Sequence, residues 1–219
     1  MLSDICFFVP ARKSSQRVRE KNIRPFCNSS LIEIKLIQIK KVFPNSYLVF
    51  DSDSKEYIDK VSHLCDRCTL RPEKFGRSNI PMNQVYKYFA ESLSEFNHIA
   101  YCNATSPLIS DISMRKVYEE YVNSGCNPIT TVTKHQEYLW IDGKPQNYDP
   151  HNHPRSQDLP YFETLNFAMS ILPIKVMKEY SNIVVGRSKR FPIPSIEAFD
   201  IDLDWQFNIA EKLFKDKYS

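Results

Sequence analysis

The feature that most constrains the fold is an alternation of short apolar runs and longer amphipathic stretches. Residues 5–9, 47–50, 98–102, 128–133 and 166–172 are apolar runs of strand length. Between and after them, 30–43, 54–63, 81–95, 111–123, 173–181 and 203–216 read as helices. In 30–43, Leu31, Ile34 and Val42 share a face interleaved with Lys35, Lys40 and Lys41. Ser110 or Asp111 is the expected cap of 111–123. Strands that alternate with helices predict an α/β domain whose mostly parallel sheet is covered on both faces. Its length, 219 residues, suits one such domain. Residues 134–165 break the rhythm and are rich in His, Pro, Asn, Gln, Asp and Tyr, so an extended excursion is expected there.

The first apolar run is followed at once by Arg12, Lys13, Arg17, Arg19, Lys21 and Arg24, with only Glu20 among them as an acid. Open α/β sheets bind ligands beyond the carboxyl ends of their strands. A cluster of cations there calls for an anion, and a polyphosphate fits. The alternative is a solvated basic loop. The chain holds four glycines, at 76, 125, 143 and 186, and none lies in the basic loop. Glycine-rich nucleotide motifs are therefore absent, and side chains must do the cradling. Two polar tips, 51–53 and 103–106, fall at equivalent strand ends and should line the same crevice.

Net charge is +3, too small for a general nucleic-acid binder. Of the six cysteines, Cys6 and Cys102 sit in apolar runs. Cys65 and Cys68 could be half of a zinc site, but no second pair matches their spacing. The N-terminal run reads as a strand, not an export signal, and no run has the length of a membrane span. The expectation is a cytoplasmic protein with reduced thiols and no membrane partner.

Near the end of the chain, Asp200 and Asp202 alternate in what reads as extended backbone, so both carboxylates face one side. Two carboxylates together favour a cation between them, and Mg²⁺ is the usual one beside a triphosphate. The competing role is capping of the last helix by Asp204 and perhaps Asp202.

Six blocks in order now resemble the CMP-sugar synthetases, the cytidylyltransferases that activate N-acetylneuraminate and related 2-keto sugar acids. They are 9–17 with 21–25, Phe50-Asp-Ser-Asp53, Leu70-Arg-Pro-Glu-Lys-Phe75, Asn103-Ala-Thr-Ser-Pro-Leu108, Asn166 ahead of a strand, and Asp200-Ile-Asp202. The resemblance spans about 5–214. It implies a Rossmann-like nucleotidyltransferase fold, with 134–165 as the protruding segment that joins a homodimer. It implies that Arg12 and Lys21 hold the phosphates of CTP, with Ala11, Ser15 and Asn22 beside them. Arg71 and Ser78 would lie in the cytidine pocket. Asn103, Ser106, Arg155, Gln157 and Asn166 would face the acidic sugar, and Asp200 and Asp202 would hold the catalytic Mg²⁺. Arg12, Lys21 and Asp202 are the residues expected to carry catalysis.

The chain departs from that pattern on the sugar side. Asn103 stands for a glutamine, Ile109 for an arginine, Phe167 for a glycine, and Arg77-Ser78 for a Ser-Asp pair. The expectation is conserved nucleotide chemistry with an unusual acceptor: the anomeric hydroxyl of a sialic-acid-like 2-keto-3-deoxy sugar acid attacks the α-phosphorus of CTP and pyrophosphate leaves. No general base is identifiable; His151 and His153 are candidates. The alternatives are a nucleotidyltransferase using another base or a sugar 1-phosphate, and an inactive paralogue that binds nucleotide.

Overall fold

The computed structural model describes residues 4–13, 15 and 17–218. In chain order the elements are β1 (Ile5–Pro10), α1 (Leu31–Val42), β2 (Tyr47–Ser52), α2 (Lys55–Val61), β3 (Arg67–Leu70), α3 (Met82–Ser92), β4 (His98–Cys102) and α4 (Asp111–Asn123). There follow β5 (Ile129–His135), β6 (Trp140–Ile141), β7 (Lys144–Pro145), β8 (Phe162–Pro173), α5 (Ile174–Tyr180), β9 (Lys189–Pro192) and α6 (Asp204–Tyr218).

The main sheet has the order β3-β2-β1-β4-β8-β5-β9. All its pairings are parallel except those of β8, which runs antiparallel to β4 and β5. Side chains of β1 alternate between two cores, as strand geometry requires. Phe7 and Val9 join the core under α1, α2 and α4, with Leu36, Tyr57 and Val117. Cys6 and Phe8 join the core under α3 and α5, with Val85, Phe89 and Met177. The sheet is thus covered on both faces, which is why its strands read as continuous apolar runs.

Three details decide where the site forms. First, the chain runs from β1 outward to β2 and β3 on one side, while β4 lies on the other. The sheet therefore switches direction between β1 and β4, where a crevice opens beyond the strand ends. Second, a third, smaller core joins Val18 and Phe26 of the basic loop to Leu31 and Ile34 of α1 and to Ile201, Phe207 and Ala210. Phe26 meets Phe207 edge-on at 5.3 Å. This cluster seats α6 against the basic loop and brings residues 200–202 to it. Third, Ser110 caps α4, its hydroxyl accepting from the Ser113 N–H at 3.0 Å.

The expected excursion narrows to 136–161, because β5 and β8 extend into its two ends and pair there. It carries the hairpin β6–β7. The pairing of β5 with β8 slips between Thr130 and Val132, a bulge at which Phe167 takes φ +54°.

Candidate active site

Two adjoining cavities open at the carboxyl ends of β1 and β4. One, of about 410 Å³, is lined by Ala11, Arg12, Ser15, Arg17, Lys21, Asn22, Asn103 and Thr105, among others. The other, of about 360 Å³, is lined by Arg71, Arg77 and Ser78 together with Phe75, Ile80, Val85, Phe89 and Tyr101. Pro10 and Arg12 belong to both. The first cavity is walled by cations and polar groups, the second by apolar side chains around Arg71.

The basic loop is tied down through both its backbone and its side chains. Asn22, nearly buried, donates from Nδ2 to the Arg12 carbonyl at 3.1 Å, and its own carbonyl accepts from the Ile32 N–H at 3.3 Å. The Lys13 N–H donates to Asp53 Oδ1 at 2.7 Å. Lys21 Nζ donates to the Ile201 carbonyl and lies 3.4 Å from Asp202 Oδ1. Arg17 Nη2 donates to the same Asp202 oxygen at 2.8 Å. Arg24 pairs with Asp204 at 2.7 Å and stacks over Phe207.

Asp200 lies beside them. Burial pushes its carboxyl above the ordinary range, a hydrogen bond from Thr105 opposes this, and Asp202 adds to the rise. Its Oδ1 is buried without a hydrogen-bond partner among the described residues. A buried carboxylate oxygen left open next to a second carboxylate fits a hard divalent cation. Among the described residues no cluster of three or more His, Cys, Asp or Glu side chains could hold a metal, so such an ion would take its remaining ligands from phosphate oxygens and water. The same finding leaves Cys65 and Cys68, with sulfurs 3.2 Å apart, without further ligands for zinc.

A sequence model of the cytidylyltransferases matches residues 6–170. The chain belongs to the cytidylyltransferase family, and it is a nucleotidyltransferase. Over 99% of its length it is 23% identical to the post-translational flagellin modification protein B of Campylobacter coli, covering 97% of that protein. It is 22% identical to the pseudaminic acid cytidylyltransferase of Campylobacter jejuni, with 98% of this chain and 97% of that protein aligned. Among solved structures it resembles a CMP:2-keto-3-deoxy-manno-octonic acid synthetase complexed with CTP, with a TM-score of 0.70 at 11% identity over 98% of this chain and 100% of that one. That likeness shows the fold.

Not every expected site residue of this cytidylyltransferase reaches a cavity. Ala11, Arg12, Ser15, Lys21, Asn22 and Asn103 line the first, and Arg71 and Ser78 the second. Ser106 does not: it is fully buried, and its carbonyl accepts from the buried Lys35 ammonium at 3.0 Å. Asn166 is turned into the sheet. Its Oδ1 accepts from Thr131 Oγ1 at 2.5 Å and from the Ala168 N–H at 3.2 Å, and its Nδ2 donates to Thr133 Oγ1 at 3.1 Å. The amide bridges the bulge, a structural duty the sequence pattern did not reveal. Arg155 and Gln157 stand exposed on the excursion, Arg155 paired with Asp158 at 2.7 Å, and line neither cavity. His151 and His153 are exposed on the same segment.

Asp204 does not cap α6. Gln206 does so, its Oε1 accepting from the N–H groups of Asp202 and Leu203 at 2.7 and 2.8 Å. Arg17 and Thr105 line the first cavity as members of the expected cation cluster and 103–106 tip, though neither was singled out as a ligand. Arg17 was visible as one of six cations, but nothing local distinguished it.

Proposed function

We propose that the chain transfers CMP from CTP to the anomeric hydroxyl of a 2-keto-3-deoxy sugar acid of the pseudaminic or sialic class, with release of pyrophosphate. One observation carries this reading: Arg17 and Lys21, which line the first cavity, both contact Asp202, although about 180 residues separate Lys21 from Asp202. The apolar cavity beside it, with Arg71 and Ser78, suits a flat pyrimidine. The name of the Campylobacter jejuni relative supports pseudaminic acid or a similar acidic sugar as acceptor.

In the reaction the sugar oxygen bonds to the α-phosphorus, the bond to the β-phosphate oxygen breaks, and the hydroxyl proton is lost to solvent or a base. Negative charge grows on the equatorial oxygens and on the departing pyrophosphate. Arg12, Arg17 and Lys21, which line the first cavity, would offset that charge. Asn22 keeps the Arg12 backbone in place, and Asn103 and Thr105 line the wall beyond β4. Asp200 and Asp202 would hold Mg²⁺, which supplies Lewis-acid stabilisation of phosphoryl oxygens.

The exposed Tyr138, Trp140, Ile141 and Tyr161 on the excursion support a second copy as its partner, so the working unit would be a homodimer in the cytoplasm. Among the described residues no helix is long and apolar enough to cross a membrane.

The deciding experiment measures pyrophosphate release with CTP, GTP, UTP or ATP, Mg²⁺ and a panel of pseudaminic, N-acetylneuraminic and 3-deoxy-octulosonic acids together with a sugar 1-phosphate. Turnover with CTP and one acid sugar is expected. Turnover only with a sugar 1-phosphate, or CTP binding without pyrophosphate release on any acid, would refute the proposal.

A further inference from the structure

Arg71, which lines the second cavity, belongs to an ion pair with an open end. Asp51, fully buried on β2, accepts from Arg71 Nε at 2.6 Å. Arg71 is nearly buried as well, its backbone N–H donating to the Ser52 carbonyl at 2.8 Å and its guanidinium lying 4.9 Å from the centre of the Phe89 ring. The pair is joined at one end only. Arg71 Nη2 and Asp51 Oδ2 are both buried and lack hydrogen-bond partners among the described residues. Native folds rarely leave such groups open, and a donor kept open on a cavity-lining arginine points to a ligand. Asp51 itself does not line the cavity, so its influence passes through Arg71.

Charge separates the two cavities. In the second, Arg71 is matched by Asp51 and Arg77 by Glu73 at 3.1 Å. Arg12 borders both cavities, while Arg17 and Lys21 line the first alone, where Asp202 is the carboxylate in contact with them. A triphosphate is therefore drawn to the first cavity, and a neutral ring with a carbonyl acceptor fits the second.

Resting on the cytidylyl-transfer reading, we infer that Asp51 is a positioning residue for nucleotide selection: it cancels the charge of Arg71 and aims the guanidinium so that this cavity takes a neutral base and not a phosphate. The carboxyl has a built-in pH range. Burial pushes it up to about 6 against the pull of Arg71, and Asp53 adds to the rise. The other titratable groups facing it are the phenols of Tyr88 and Tyr101, which burial keeps neutral. Protonation below about pH 6 removes the counter-charge and loosens the grip on Arg71.

The test uses the full chain and cytidine, which has no phosphate to titrate. Wild-type affinity for cytidine should fall as pH drops through about 6. In Asp51→Asn it should be about tenfold weaker at neutral pH and flat with pH, and sulfate should compete with cytidine more strongly than in wild type. For turnover, KM for CTP should rise about tenfold with kcat changed by less than about threefold. A variant with a lower melting temperature but unchanged cytidine affinity, pH profile and sulfate competition would reduce the pair to a structural tie and overturn the inference. Should Asp51→Asn fail to fold, a wild-type cytidine affinity that is flat across this range overturns it equally. If wild type binds no CTP at all, the underlying reading falls instead.

Discussion

Replacing Lys21 by alanine tests the site most directly. Its side chain is 12% exposed, and its ammonium donates to the Ile201 carbonyl and reaches Asp202 Oδ1 at 3.4 Å. Two effects follow, and they are separable. The lost charge-assisted bond to a part-buried carbonyl is worth about 1.5–3 kcal/mol of stability. The ion pair to Asp202 adds little, because that carboxylate is 36% exposed and screened. For a domain of this size each kcal/mol moves Tm by about 2–4 °C, so a fall of about 3–12 °C is expected. In catalysis, a positive group aimed at developing phosphoryl charge is worth about 2–4 kcal/mol, or roughly 30- to 1000-fold in rate. Lys21→Arg separates the two effects: its guanidinium can keep the tie to Ile201 and restore Tm, but its fork cannot replace a point charge without shifting the phosphates. The assay is pyrophosphate release at varied CTP, run well below each variant's Tm. A Lys21→Ala enzyme with unchanged kcat/KM for CTP would refute the assignment whatever its Tm.

Asp202→Asn should move the activity-against-Mg²⁺ curve to higher concentrations, since the second carboxylate beside Asp200 is lost; an unmoved curve would place the metal elsewhere. Lys35 is fully buried, donates to Gln38 Oε1 at 2.8 Å and the Ser106 carbonyl at 3.0 Å, and burial lowers its ammonium to about 8. Because its folded value lies below the unfolded one of 10.5, wild-type stability should rise with pH between about 8 and 10.5, and urea midpoints of Lys35→Met should lack this gain. At Phe167, where φ is +54°, glycine should be more stable than alanine by about 1 kcal/mol, the reverse of the usual order in a strand. Equal urea midpoints for Phe167→Gly and Phe167→Ala would count against that backbone conformation.

Much of the scaffold was legible because its elements are locally self-consistent. Helix α4 occupies 111–123 as its apolar spacing and Ser110 cap predict, and the central strands are runs of residues that only a doubly covered sheet can bury. The strands β3 and β9 were not foreseen. Each is four residues long, lies at a sheet edge and includes charged side chains, so its identity comes from backbone pairing with a neighbour. Ser106 and Asn166 sat in recognisable blocks, yet one is sealed under α1 and the other spent on a bulge. Neither fact has a local signature.

Sequence alone determined the kinds of group this protein can bring to chemistry: a run of cations after a buried strand, a pair of aspartates near the end, and no glycine-rich cradle. Tertiary structure decided which of them meet. The contact of Lys21 and Arg17 with Asp202 exists because Val18, Phe26, Ile201 and Phe207 bury their apolar surface together, and the tie of Arg71 to Asp51 because β3 pairs beside β2. Hydrophobic burial is blind to sequence distance, so it can set charges side by side that no local pattern connects.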